Sequence, residues 1–268
     1  MTSYLSYLYL LAPLHTGGTT QEGNLLGIAR ESHTDLPYLP SSTIRGRFRA
    51  TTPEENRKAL WGNTIEDVKT GDENLTQGAL WNGDGSILWF PVPSLSHGVV
   101  WISSPFLLRR WTRLTGKNLP IPPEGSFSGG NKKPLYLRDA VFKSSELSPW
   151  PKEQWQSFLP AGSDETKTIN TLLVLSFPDC NALIQSSLWR QVRVKLDEKK
   201  NTDGGFRYEE AIPPETLMFF PWGSTASANG TGQTSCQKFT AMLESQTIWQ
   251  IGGQESLGRG FVELWSQK

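Results

Sequence analysis

The sequence predicts an α+β fold carrying large insertions. Two observations lead there. Apolar runs with β character alternate with short helical stretches within one chain of 268 residues, the pattern of strands and helices packed around a shared core. Two stretches rich in Gly, Ser, Thr, Pro or Lys, residues 115–134 and 223–237, interrupt that alternation.

Each element has a local reason. Tyr4 to Ala12 (YLSYLYLLA) is aromatic and leucine-rich and reads as a buried strand. Leu14 to Gly18 follows as a turn, and residues 19–40 are irregular and proline-flanked. Ser41 to Ala50 reads as a helix with Ser41 or Ser42 as N-cap. Pro53 to Leu60 reads as a second, with proline early and Glu54 and Glu55 in its first turn. Ile87 to Val92 and Gly98 to Ser103 are strands. Pro105 to Leu114 is a helix whose stripe is Leu107, Leu108 and Trp111.

Residues 115–134 are too long for a core connection and are expected to protrude. Residues 135–165 mix a short strand with tryptophan–proline elements. Thr171 to Phe177 is aliphatic, and Leu183 to Arg193 reads as helical. Lys195 to Gly205 is a charged tip ending in a Gly-Gly turn. Phe206 to Ile212 and Thr216 to Phe220 are strands around Pro213-Pro214. Residues 223–237 read as a mobile loop. A helix over Lys238 to Ser245 and a final strand pair close the chain.

Lys+Arg and Asp+Glu are 26 each, so the formal net charge is zero. Bulk charge therefore does not drive nucleic-acid binding, although basic residues cluster at Arg45, Arg47, Arg49 and at Arg109, Arg110, Arg113. Cys180 and Cys236 give neither a disulfide framework nor metal spacing. Met1 to Pro13 is apolar but lacks a basic n-region and a cleavage site, so no signal peptide is expected. No apolar run is long enough to span a membrane. A reduced, cytoplasmic setting fits these features.

The stretch from Ile248 to Val262 is the most informative. A β-type run enters a loop containing Gly252, Gly253, Gly258, Gly260 and Arg259, then returns to a β-type run. Glycines permit close backbone approach. Exposed amides in such a loop form an anion site, and an arginine adds planar donors for phosphate. The plainer reading is a hairpin turn. Arg45 and Arg49, four residues apart, share one face of the first helix. With Ser42 and Thr43 at its start they form a candidate phosphate cradle; the alternative is a solvated basic face. His15 is a candidate acid–base group, because histidine is the side chain suited to proton transfer near neutral pH, or a turn or core histidine. Tyr208, Glu209 and Glu210 form a carboxylate-bearing strand, whose plainer reading is an exposed acidic face.

Five segments together resemble the backbone subunit of the type III-B CRISPR (Cmr) effector, in the RAMP superfamily. They are Pro13–Gly18; Ala29–Thr34 running into Leu36–Arg49; Gly83–Val92 through Arg110; Gly204–Glu210 with Ile212–Pro213 and Glu215–Leu217; and the glycine-rich C-terminus. They occur in family order along nearly the whole chain.

The resemblance implies a single RAMP domain over 1–268, with a modified ferredoxin-like (RRM-like) core and a protruding thumb hairpin. The core would comprise about 1–115 and 167–268, with an insertion over about 116–166. It implies copies stacked as a filament on CRISPR RNA, with complementary target RNA and other type III subunits as partners. No membrane and no tightly bound cofactor are implied. RNA contacts would fall on Ser42, Thr43, Arg45, Arg49, Gly252, Gly253 and Arg259. The exposed apolar surface that stacking needs is expected at tryptophans such as Trp150 and Trp155.

Family members that cut target RNA carry an aspartate five residues before the Arg of the Arg-Glu pair. Here that position is Leu25, in a loop about one residue short. Weak or absent cleavage follows. The alternative is an active endoribonuclease that uses Mg²⁺ or Mn²⁺ with Glu22 or the Tyr208/Glu209/Glu210 cluster, and the candidate catalytic residues are His15, Glu22 and Glu209. A third reading, a carbohydrate- or RNA-binding β-rich module unrelated to CRISPR, rests only on the tryptophan content and explains the five segments less well.

Overall fold

The structure, a computed structural model, describes residues 3–18, 21–22, 25–63, 76–196, 198, 202–225 and 230–267. Strand β1 (Ser3–Leu10) is followed by the short β2 (Gln21–Glu22) and β3 (Leu25–Leu26). Helices α1 (Ser41–Thr51) and α2 (Glu54–Trp61) precede β4 (Leu80–Asn82), β5 (Ser86–Ser94), β6 (Gly98–Ser103) and helix α3 (Pro105–Thr115). Next come β7 (Ser126–Phe127), β8 (Leu135–Tyr136), β9 (Val141–Phe142), β10 (Ser148–Pro149), α4 (Lys152–Trp155) and α5 (Glu165–Thr168). The chain continues through β11 (Leu172–Val174), α6 (Phe177–Ser186), β12 (Trp189–Leu196), β13 (Thr202–Ala211) and β14 (Leu217–Ser224). Helix α7 (Gly232–Glu244), β15 (Ile248–Gln250) and β16 (Phe261–Gln267) close it.

The fold is mixed α+β. The large sheet runs β10-β7-β11-β6-β5-β14-β1-β16-β15, with β4 also paired to β14; a second sheet runs β12-β13-β3-β2. Alternation along the central strands sorts side chains to two faces. Leu8 and Leu10 of β1 and Met218, Phe220 and Trp222 of β14 meet Phe48, Trp61 and Phe239 from α1, α2 and α7. Tyr7 and Tyr9, with Leu217 and Phe219, meet Trp111 of α3 and Trp150, Trp155 and Phe158 on the opposite face. Each such aromatic buries a large apolar area.

The second core corrects the protrusion expected of residues 115–134. They do not simply protrude: β7 pairs with β11 and β10 with β7, and Trp150 and Trp155 are only 6% and 8% exposed. Trp89 Nε1 donates to the Phe158 carbonyl at 3.0 Å, tying this segment to the sheet. The tryptophans expected on an exposed stacking surface are therefore core residues.

Three local expectations also change. Pro40 occupies the N-cap of α1, and the Ser41 amide donates to the Asp84 carboxylate at 2.6 Å, so a distant aspartate does what Ser41 or Ser42 was expected to do. The stretch 183–193 is the end of α6 followed by β12, because pairing with β13 outweighs its helical composition. The loop expected over 223–237 is shorter: β14 reaches Ser224, α7 starts at Gly232, and residues 226–229 lie outside the described residues.

Candidate nucleic-acid interface

Strand β13 organises the site. Consecutive strand residues point to opposite faces, so Glu209 and Glu210 leave β13 in opposite directions. Both are buried, at 0% and 2% exposure, which overturns the reading of an exposed acidic face. Buried carboxylates require charge partners, and arginines supply them. Glu209 accepts from Arg193 (Nε, 3.3 Å), Arg207 (Nη2, 2.9 Å) and Arg259 (Nη2, 3.0 Å). Glu210 accepts from Arg30 (3.1 Å) and Arg190 (2.9 Å).

Burial raises the cost of the Glu209 charge. The bond from Arg193 and the charges of Arg259 and Arg193 outweigh it and hold the carboxyl below its ordinary value. A carboxylate so engaged acts as a counter-ion rather than as a proton acceptor for a substrate.

Three guanidiniums thus face Glu209 on one side of the hairpin, while Arg30 and Arg190 face Glu210 on the other, where Asp35 lies 4.0 Å from Arg30. Among the described residues the Glu209 side, with three arginines to one carboxylate, carries excess positive charge. Arg190, Arg193 and Arg207 keep 51%, 34% and 60% of their side chains exposed, so donors reach solvent beside the buried pairs. None of these three was singled out from the sequence. Their partners lie two to twenty positions away, and only β12–β13 pairing makes the cluster visible.

Arg259 was expected to meet RNA phosphate. It is 3% exposed and lies over the Trp189 ring at 4.5 Å, with Gln191, Gln254 and Glu209 as partners. Glu209 fills the anion position expected for a ligand. The glycine loop packs tightly. A Cβ on Gly252 would lie 2.6 Å from the His15 carbonyl oxygen, and one on Gly260 2.0 Å from that of Ile251. The Gly253 amide donates to the His15 carbonyl at 2.9 Å, so the hairpin-turn reading accounts for these glycines, while Gly253 itself faces solvent.

His15 is buried between the glycine loop and β13. Its Nδ1 pairs with the Glu210 carbonyl at 3.0 Å. Leu25 pairs with Tyr208 and Leu26 with Glu209 in a parallel ladder, and Glu22 lies opposite Leu25. The Glu22 side chain is outside the described residues. The structure therefore brings His15, Leu25, Tyr208, Glu209, Glu210, Gly252, Gly253 and Arg259 to one region. Among the described residues, no group of three His, Cys, Asp or Glu side chains is placed to hold a metal ion.

The α1 residues are a separate set. Arg45 and Arg49 do share a face, and donate to the Trp61 and Gly62 carbonyls at the end of α2. Burial and the Arg49 charge lower the pKa of Arg45. Ser42 is exposed and Thr43 half-buried at the start of α1.

The outer part of the β12–β13 hairpin has a different character. Val192 opposes Tyr208 and Val194 opposes Phe206, so all four share one face. Each is 42–49% exposed, and the Phe206 and Tyr208 rings meet edge-on at 5.5 Å.

The profile of the RAMP superfamily matches residues 7–263. The chain is 26% identical to the CRISPR system Cmr endoribonuclease Cmr4 of Pyrococcus furiosus, over 98% of this chain and 95% of that protein. Its fold is similar to a crystal structure of oligomeric Cmr4 from Pyrococcus furiosus, with a TM-score of 0.74, 22% identity and coverage of 100% and 98%. It is also similar to a chain of the type III-B Cmr-beta complex bound to cognate target RNA, with a TM-score of 0.76, 17% identity and coverage of 99% and 97%.

Proposed function

The chain belongs to the RAMP superfamily, and from that premise we propose that it is a CRISPR-RNA-binding, filament-forming backbone subunit of a type III-B effector complex. Its partners are guide RNA, complementary target RNA, further copies of itself and other subunits, in the cytoplasm. The whole chain acts as one RAMP domain with a ferredoxin-like core, and the β12–β13 hairpin is its thumb.

The observation that carries this reading is the arginine cluster at the root of that hairpin. Excess positive charge around Glu209 favours an anion, and the partly exposed guanidiniums of Arg193 and Arg207 there, with Arg190 on the opposite face, present planar donors suited to phosphate. The exposed Val192, Val194, Phe206 and Tyr208 lie on the same hairpin. An aromatic and aliphatic face beside a phosphate track suits contact with unstacked bases. Ser42, Thr43, Arg45, Arg49, Gly252 and Gly253 extend the track. At Arg45 and Arg49 a phosphate competes with the Trp61 and Gly62 carbonyls.

Although the Pyrococcus relative is named an endoribonuclease, we propose that this chain holds target RNA and cuts it slowly or not at all. Leu25, beside Tyr208, offers neither charge nor lone pair. Glu209 is sequestered by three arginines. Divalent metal enters only if cleavage occurs, and Glu22 is then the remaining carboxylate. The test is to assemble the complex on guide RNA, probe it with nuclease, and add labelled complementary RNA with Mg²⁺ or Mn²⁺. Regular protection of the guide with intact target supports the reading. An unprotected guide opposes the backbone role, and fast, evenly spaced cuts oppose the non-cleaving role.

A further inference from the structure

We propose that the cavity between the β5–β6 turn and the loop leading from β7 to β8 binds a nucleoside phosphate. It shares no residue with the arginine cluster, which belongs to the second sheet, so it stands apart from the RNA reading.

The cavity, of about 870 Å³, is lined by His97 of the turn, by Phe127, the loop 129–134 and Tyr136, and by Pro149 of β10. Its size is that of a small-ligand site. Its lining holds Lys132 and Lys133 and no Asp or Glu. Both lysines are exposed and have no carboxylate partner among the described residues.

The loop adds backbone donors. Gly130, with φ 78°, closes a turn by donating to the Phe127 carbonyl at 3.3 Å. Among the described residues, the amides of Gly129, Asn131, Lys132 and Lys133 donate to no protein group. Such amides beside ammonium groups form a concave anion site, and hydrogen bonds from charged donors are the stronger kind. A Cβ on Gly129 would lie 2.6 Å from the Phe127 ring and 3.4 Å from His97 Nε2, so glycine lets the loop backbone rest against that wall.

Both ends of the loop are fixed. Ser128 Oγ donates to the Asn170 carbonyl at 3.0 Å and accepts from the Leu172 amide at 2.8 Å. The Tyr136 carbonyl accepts from Ser94 Oγ at 2.8 Å and from the Leu95 amide at 3.0 Å. Donors on a segment anchored at both ends lose less freedom on binding.

The rest of the lining suits a base. Tyr136 is 44% exposed, and an exposed aromatic ring stacks a base without regard to its sequence. His97 Nδ1 pairs with Ser96 Oγ at 2.8 Å, and its ring meets Phe127 edge-on at 5.5 Å. These contacts orient the imidazole and leave Nε2 for a base edge. A simple anion would use only the lysine loop. A ligand that uses both parts carries an anion and a planar heterocycle, the chemistry of a nucleoside phosphate.

The test is calorimetric titration of the full-length chain with ATP and with tripolyphosphate at constant ionic strength. Wild type should bind ATP with a Kd below about 1 mM, and more tightly than tripolyphosphate. Lys132→Ala/Lys133→Ala should weaken ATP at least about tenfold, through loss of charged donors. Tyr136→Ala should weaken ATP about fivefold or more, as loss of a stacking ring does, and leave tripolyphosphate unchanged. Arg190→Ala/Arg193→Ala/Arg207→Ala should leave ATP binding unchanged. The three substituted lining residues are exposed, and circular dichroism checks the fold. Absence of ATP binding, or binding untouched in the lysine variant, would overturn the proposal. Loss of ATP binding in the arginine variant would move the nucleotide to the hairpin root and overturn it as well. Equal binding of the two probes with no effect of Tyr136→Ala would leave an anion site and overturn the nucleoside assignment. Guide-RNA affinity that falls in the lysine variant as far as ATP affinity does would make the loop an RNA contact and overturn it too.

Discussion

The Arg259 guanidinium lies 3.0 Å from the buried Glu209 carboxylate, joining the glycine-rich C-terminal loop to the β12–β13 hairpin. Arg193 and Arg207 bind the same carboxylate from the hairpin side. One carboxylate therefore pairs with cations from two elements that meet only through tertiary structure.

Glu209→Gln leaves three guanidiniums crowded around a neutral amide. Unfolding free energy should fall by about 3–5 kcal/mol, the range for breaking a buried pair on one side. Chemical denaturation monitored by tryptophan fluorescence measures it. A loss below about 1 kcal/mol would mean that the pairs are not coupled to folding.

The same carboxylate sets an acid limb. Its folded-state pKa lies below its ordinary value of 4.5. Its stabilisation is fully present above about pH 4.5 and is lost as pH falls through the depressed value. Glu31, held by Arg110, shifts in the same direction. Thermal unfolding from pH 7 down to pH 3 should show a falling Tm below about pH 4.5, with a shallower fall in Glu209→Gln.

Glycines in the C-terminal loop should differ sharply. Gly258 and Gly260 both have positive φ, 72° and 75°. An added Cβ meets nothing within 4 Å at Gly258 but lies 2.0 Å from the Ile251 carbonyl oxygen at Gly260. Gly258→Ala should cost about 1–2 kcal/mol, the left-handed penalty alone. Gly260→Ala should cost clearly more. Equal losses would mean that the loop relaxes around the methyl group.

Much of this fold is legible locally. The β6 strand matches its apolar run, bounded by glycine and serine, and α3 is announced by Pro105 at its start and by the stripe of Leu107, Leu108 and Trp111. The covering layer is less legible, because Trp150 and Trp155 become core only through strand pairing across residues 126–174. The candidate site is legible in part. His15, Leu25, Glu209 and the glycine loop were visible as motifs, but the burial of Glu209 follows from arginines that a strand ladder and a distant loop deliver. Arg190, Arg193 and Arg207 carry no local signature beyond positive charge on a strand.

Cleavage should be slow. The wild-type assembly, given complementary RNA and Mg²⁺ or Mn²⁺, should leave target intact over times in which Leu25→Asp yields regularly spaced products. Restoring a general acid–base group is worth a factor of about 10²–10⁴. Rapid cutting by wild type, lost in Glu22→Ala, would reassign that role to Glu22.

The most direct test of guide binding is the salt dependence of RNA affinity for wild type and for Arg190→Ala/Arg193→Ala/Arg207→Ala. Each phosphate contact to a single strand contributes about 0.7 to the slope of log affinity against log salt. Wild type should bind with a steep slope, and the triple variant should lose about two units of it together with affinity, while circular dichroism reports a retained fold. Equal affinity and equal slope for the two proteins would contradict the assignment of the hairpin root as the guide-RNA track.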